Sequence, residues 1–238
     1  MQAFYAMAGG LLTGGVVLAL LAMAALFGLT AGVMAGRTIR FDEGVLLWMN
    51  RRASPTLDLA ALQVTALGNG LVVAAICVVA ATFLWLAGHR PYAALLTAGV
   101  GGAWVIYPLL KLAFDRPRPQ LFAWRAEYAH SSSFPSGHAT LSMVLLALLA
   151  YTVHRLASHR GASVAAVLIA GTAVLLIGLS RLYLGVHYPS DVIAGYIVGF
   201  CWAVLCAVAM EALHTPRDRA RTKSSAGITT GAGRGNAG

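Results

Sequence analysis

The chain has 238 residues, of which 59% are hydrophobic and 11% charged, whereas a soluble globular domain carries about 25% charged residues. That balance excludes an ordinary soluble domain and predicts a membrane protein. The formal net charge is +9, but the basic residues sit in loops and the C-terminal tail without any nucleic-acid motif, so anionic lipid is the expected partner and nucleic acid is not.

Uncharged apolar stretches of about 20 residues can cross a hydrocarbon core roughly 30 Å thick. In chain order they fall near 4–34, 59–87, 92–110, 139–153, 162–179 and 192–210. The expected fold is therefore all-α, a polytopic bundle of six transmembrane helices over residues 1–213. The first stretch lacks a basic flank and is twice the length of a signal-peptide core, so a retained anchor is expected. The fourth is short by hydropathy and is completed only if the polar "PSGH" end dips toward the membrane.

Between the first two spans, "RTIRFDEGVLLWMNRRASPTLD" mixes Phe41, Leu46, Leu47 and Trp48 with charges and reads as an amphipathic piece lying along the interface. Residues 214–238 begin basic and end rich in Gly, Ser and Thr, the composition of a disordered tail. Cys77, Cys201 and Cys206 all fall inside apolar stretches, with no disulfide or metal spacing, and read as packing residues. Gly10 and Gly14, Gly28 and Gly32, and Gly195 and Gly199 match the small-xxx-small pattern of close helix contacts.

Six crossings put both termini on one side. A raw count of Lys and Arg does not decide which side, but Lys111, Arg118 and Arg181 belong to polar motifs and carry no topological vote. The dense basic group from Arg217 to Lys223, just after the last span, then places the termini in the cytoplasm and "PSGH" on the outer side.

Three polar clusters fall on that outer face: "KLAFDRPRP" (Lys111–Pro119), "PSGH" (Pro135–His138) and "SRLYLGVHYPSD" (Ser180–Asp191). Lys111, Arg118 and Arg181 would repel one another beside a low-dielectric slab unless an anion joined them. Arginine forks suit phosphate oxygens. Pro135 is tolerated in a first helical turn, Gly137 allows close approach of a ligand, and the N–H groups of Ser136, Gly137 and His138 would face the same anion. His187 and Asp191 are four apart, so the carboxylate can orient one imidazole nitrogen and leave the other as a nucleophile. His138, from another helix, could protonate the departing oxygen.

A single interfacial Arg or His is ordinarily a snorkelling or capping residue. Arg116, Arg125, His130, His154, His159 and His214 are assigned there. Asp115 reads as a partner that orients Arg116 or Arg118, and Ser131, Ser132 and Ser133 as loop residues and weak caps.

The three clusters fit K-x6-R-P, P-S-G-H and S-R-x5-H-x3-D in unbroken order, and in this the chain resembles the type 2 phosphatidic acid phosphatase family, whose catalytic core is shared with vanadium haloperoxidases. The resemblance implies a metal-free, cofactor-free phosphatase in which His187 forms a phosphohistidine, Asp191 orients it, and His138 protonates the leaving group. Lys111, Arg118, Ser136, Gly137 and Arg181 would hold the phosphoryl oxygens. The chain has eight acidic residues, of which only Asp115 and Asp191 lie in the motifs, little material for a metal cage.

Implied substrates are membrane lipid phosphates or diphosphates such as phosphatidic acid, phosphatidylglycerophosphate or undecaprenyl diphosphate, met in a bacterial inner membrane with the site facing the periplasm and no obligate protein partner. Two alternatives use the same residues. A vanadate-dependent haloperoxidase would hold vanadate in the same cradle, but those relatives are soluble. A lipid transporter or scramblase would place ionisable groups near the bilayer midplane, whereas here they cluster at helix ends.

Overall fold

The computed structural model describes the backbone of residues 2–126 and 132–231 and the side chains of 13–126 and 132–213. Eight helices follow in order: α1 (Gln2–Met34), α2 (Ile39–Asn50), α3 (Pro55–Ala66), α4 (Gly70–Leu86), α5 (Arg90–Phe114), α6 (Gly137–Leu156), α7 (Arg160–Tyr183) and α8 (Pro189–Gly231). Five of them, α1, α5, α6, α7 and α8, are long and apolar enough to cross a membrane. A sixth crossing exists if α3 and α4 count together as one bent span.

That bent span departs from the straight helix expected over 59–87. The two halves meet at 48° across Leu67, Gly68 and Asn69. Asn69 starts α4 afresh, its Oδ1 accepting from the Leu71 N–H at 2.9 Å, a side-chain cap that competes with helix continuation. Gly68 permits the close approach at the break: a Cβ there would lie 2.5 Å from Ile177 and 3.2 Å from the His138 ring. A hydropathy average does not register a kink made by a cap and a close contact.

α6 sits at the centre, packed against α4, α5, α7 and α8, and it begins at Gly137, so the fourth span has its full length. The main core joins Val73, Leu96, Val100, Val144, Leu145 and Leu148 across α4, α5 and α6. Large apolar side chains such as Phe27, Leu71, Phe83, Leu86 and Leu112 are strongly exposed on the outside of the bundle, the pattern of helices that face lipid. The small-residue pairs divide into two kinds. Gly195 and Gly199 are packed tightly against α6, whereas a Cβ at Gly14 or Gly28 would meet nothing within 4 Å among the described residues. The three cysteines are free thiols within the bundle, as expected.

α2 is amphipathic in the expected way, with Phe41, Leu47 and Trp48 exposed, but it also turns Asp42 and Leu46 completely inward. The helical backbone of α8 continues to Gly231, through part of the stretch whose composition suggested an unstructured tail. Arg217, Arg219, Ala220, Arg221 and Lys223 are good helix formers that extend a helix already nucleated, against the cost of Pro216, Gly227 and the Ser and Thr residues there. Residues 232–238 lie outside the described residues.

Candidate active site

Lys111 ends α5, Ser136 caps α6, Arg181 ends α7 and Asp191 begins α8. Antiparallel packing of these helices brings all three polar clusters to one end of the bundle. Lys111, Arg118, Arg181, His138 and His187 lie close enough there to feel one another's charge.

His187 is at the centre and is 2% exposed. Its Nε2 is 3.3 Å from Arg118 Nη1 and its Nδ1 is 3.5 Å from Asp191 Oδ2. The second approach is long for a hydrogen bond, and Nδ1 has no formed bond among the described residues. Separations of this kind commonly tighten once substrate is bound. Asp191 is itself firmly held: Oδ2 accepts from the Tyr188 N–H at 2.8 Å and Oδ1 from Arg116 at 2.6 Å. Arg118 is held in turn, donating to the Val186 carbonyl at 2.8 Å.

Arg181 is fully buried and donates to Thr65 Oγ1 at 2.7 Å. The bent span thus enters the site twice, through Thr65 on Arg181 and through Gly68 beneath His138. Lys111 Nζ donates to the Ser132 carbonyl, which seats the ammonium against the 115–136 connection.

The "PSGH" turn differs in detail from expectation. α6 begins at Gly137, with Ser136 as N-cap, so Pro135 lies just before the cap and not in the first turn. The Ser136 N–H is already used, donating to the Asp191 carbonyl at 3.0 Å, whereas its Oγ is fully buried with no partner among the described residues. Of its two donors, the hydroxyl and not the amide is therefore left for a ligand. Gly137 faces the Tyr107 ring closely: a Cβ there would be 3.0 Å from its Cε2, and the ring would have to give by a few tenths of an ångström.

Other assignments change more. Arg116 does not snorkel: it is 9% exposed and bridges Asp191 (2.6 Å) and Asp42 (2.9 Å), with its guanidinium 4.2 Å from the centre of the Tyr188 ring. Asp115 does not orient it. Asp115 is exposed at the left-handed C-cap of α5 (φ 39°). Arg125 is not a snorkelling residue either, since it bonds Asn50 Oδ1 and the Tyr183 carbonyl (3.1 Å) and ties the ends of α2 and α7 together. Ser133 is fully buried, its N–H on the Arg116 carbonyl (2.8 Å) and its Oγ on that of Pro117 (3.1 Å), so it shapes the arginine-bearing loop. His154 and His159 do sit at helix ends, in the last turn of α6 and at the N-cap of α7. His130 and Ser131 lie outside the described residues, and His214 outside the described side chains.

Burial, and the positive charges of Arg181, Arg118 and Lys111, hold the His187 imidazole well below its ordinary range near 6.5. A lowered value means that the neutral, lone-pair form persists as pH falls. By NMR of the detergent-solubilised protein, His187 is expected to stay neutral at pH 6, and replacing Arg118 by Gln should move its titration upward. A normal titration near 6.5 in the native protein would contradict this electrostatic picture.

The arrangement thus presents a buried imidazole with Nε2 against the Arg118 guanidinium, the charges of Lys111 and Arg181 and a second histidine nearby, and a buried hydroxyl. It can receive an oxyanion and attack it. Among the described residues, no group of three His, Cys, Asp or Glu side chains could hold a metal ion.

The PAP2 superfamily model matches residues 92–214. Phosphatidylglycerophosphatase B of Bacillus subtilis is 35% identical over 97 residues, which cover 38% of this chain and 44% of that protein. Lipid A 1-phosphatase of Rhizobium johnstonii is 35% identical over 108 residues, covering 42% and 40%. The chain therefore spans less than half the length of the curated relatives it matches. A crystal structure of a transmembrane PAP2-type phosphatidylglycerolphosphate phosphatase from Bacillus subtilis aligns with a TM-score of 0.76 at 23% identity, over 82% of this chain and 96% of the other. Aquifex aeolicus LpxE aligns at 0.57 and 23%, over 70% and 94%. The two solved structures share the fold.

Proposed function

The chain belongs to the PAP2 superfamily, and from that premise we propose that it is an integral membrane phosphatase that hydrolyses lipid phosphates or diphosphates through a phosphohistidine on His187. The observation that carries the reading is the position of His187, 3.5 Å from Asp191 on one ring nitrogen and 3.3 Å from Arg118 on the other. One nitrogen is oriented and the other meets the phosphate.

In this mechanism Lys111, Arg118 and Arg181 bind the phosphoryl oxygens, Ser136 Oγ donates a hydrogen bond to one of them, and the glycine at 137 leaves the turn open. Fixed cations of this kind stabilise charge as it develops on the transferring group. His187 Nε2 attacks phosphorus, and the bond from phosphorus to the lipid oxygen breaks. His138 gives its proton to that oxygen. It then takes a proton from water, whose oxygen attacks phosphorus, and the P–N bond breaks to release phosphate and regenerate both histidines.

Proteins that resemble this one are named for phosphatidylglycerophosphate and for the 1-phosphate of lipid A. Phosphatidylglycerophosphate, phosphatidic acid and undecaprenyl diphosphate are the substrates proposed for this chain. The basic group after the apolar part of α8 favours cytoplasmic termini, hence a site on the outer face of a bacterial inner membrane.

Purified protein in detergent, given a panel of these lipids, is expected to release phosphate in the presence of EDTA and to be inhibited by vanadate, which takes the trigonal bipyramidal geometry of the transferring group. Abolition of release by EDTA, restored by a divalent cation, would overturn metal independence. Halide oxidation with vanadate and no phosphate release would replace the phosphatase reading altogether.

A further inference from the structure

Asp42 lies outside the three motifs, on a helix whose other face carries the exposed Phe41 and Trp48. It is nevertheless fully buried and accepts three bonds within the site: from the Ser190 N–H at 3.0 Å, from Ser190 Oγ at 2.6 Å and from Arg116 Nη2 at 2.9 Å. The other amino group of Arg116 donates to Ser190 Oγ at 2.7 Å and to Asp191 Oδ1 at 2.6 Å. A line of alternating charges runs from Asp42 through Arg116 to Asp191, whose Oδ2 lies 3.5 Å from His187 Nδ1.

We propose that Asp42 and Arg116 are positioning residues for the nucleophile: Asp42 anchors the Arg116 fork, and the fork fixes the direction and charge of the Asp191 carboxylate that orients His187. This inference rests on the reading of His187 as the nucleophile. Guanidinium geometry is what makes the relay specific, since one planar group must satisfy two carboxylates in different directions. With two acids, the buried arginine also leaves a net negative charge in the trio, which Asp191 presents to the imidazole.

The sign of the effect follows from the groups around His187. They are Asp191 of α8, Arg116 and Arg118 of the connection, Lys111 of α5, Arg181 of α7 and His138 of α6. Asp42→Asn removes one negative charge from this surrounding, so Arg116 is balanced by Asp191 alone. The Asp191 carboxylate is drawn toward Arg116, its hold on Nδ1 weakens, and protonation of His187 becomes harder.

The test is steady-state hydrolysis of a lipid phosphate by full-length protein in detergent, for the native chain, Asp42→Asn and Arg116→Lys. Asp42→Asn is expected to lower kcat by about 10–100-fold, the scale on which outer partners of an oriented histidine act. KM should change less than about twofold, since uniform binding of the phosphate is untouched, and the acid limb of the pH profile should move to lower pH. Arg116→Lys keeps the charge but not the fork, so kcat should fall with the acid limb unmoved.

Retention on gel filtration and the melting temperature separate a folding defect from a positioning defect. If Asp42→Asn does not fold, Arg116→Lys decides alone: kcat within about twofold of native would overturn the relay. So would a folded Asp42→Asn with native kcat and an unmoved acid limb. An inactive native chain would refute the phosphatase reading itself, not this inference.

Discussion

His187→Ala is expected to lower phosphate release by at least about 10³-fold, the scale on which loss of a member of a nucleophilic constellation acts. The cations would still bind the phosphoryl group, so KM or inhibition by vanadate should persist while turnover disappears. The fold should survive, because Asp191 keeps the Arg116 fork at 2.6 Å and the Tyr188 N–H at 2.8 Å and no carboxylate is left without a partner. The removed ring leaves a small cavity, with a stability cost of about 1–3 kcal/mol. Single-turnover assays with a phosphorus-labelled lipid should trap label on the native protein and none on this variant. Activity that persists in a folded His187→Ala protein would sink the covalent mechanism.

The second large effect is structural. In Gly195→Ala the new Cβ would sit 2.7 Å from the Ser136 carbonyl oxygen and 2.9 Å from the Ala139 Cβ, closer than side-chain atoms tolerate. The obstacle on the facing helix is backbone, so no rotamer change relieves it and α6 and α8 must separate. That separation stretches the 3.0 Å bond from the Ser136 N–H to the Asp191 carbonyl, the contact that couples the "PSGH" turn to the start of α8. Overpacking of this kind costs about 1–3 kcal/mol. The melting temperature should fall, and the rate should fall by more than the lost folded fraction explains. Gly28→Ala, with nothing within 4 Å of its Cβ, is the matched control and should melt like the native chain. Equal melting and equal rates for the two variants would show that the α6–α8 approach does not hold the site.

These two substitutions also mark where sequence reading succeeds and where it stops. The pairing of His187 with Asp191 was legible because it is local: the two stand four residues apart, and Lys, Arg, Ser and Gly at fixed spacings point to an oxyanion site. Gly195 and Gly28 both satisfy small-xxx-small, yet only the first faces another backbone. A pattern of small residues states that close approach is permitted; it does not name the neighbour.

Arg116 shows the same limit for charge. In sequence it is one more arginine at a helix end, indistinguishable from a snorkelling side chain. Its two carboxylate partners lie 74 and 75 residues away, on α2 and α8, and Thr65 lies 116 residues from the Arg181 it holds. The bend between α3 and α4 was hidden for a related reason, since hydropathy over 59–87 sums composition and cannot register a cap at Asn69 or a contact at Gly68.

By itself, the sequence determined the membrane-spanning helical class and the three polar clusters, because apolar length, charge and short spacing are local properties that survive in any fold of the chain. Only the tertiary structure decided that the Ser136 amide is bonded to the Asp191 carbonyl while its hydroxyl is left buried, that Asp42 and Thr65 reach into the site, and that Arg116 joins two carboxylates. Each of these depends on which helices pack side by side, and a buried charge takes its partner from whatever that packing brings within about 3 Å.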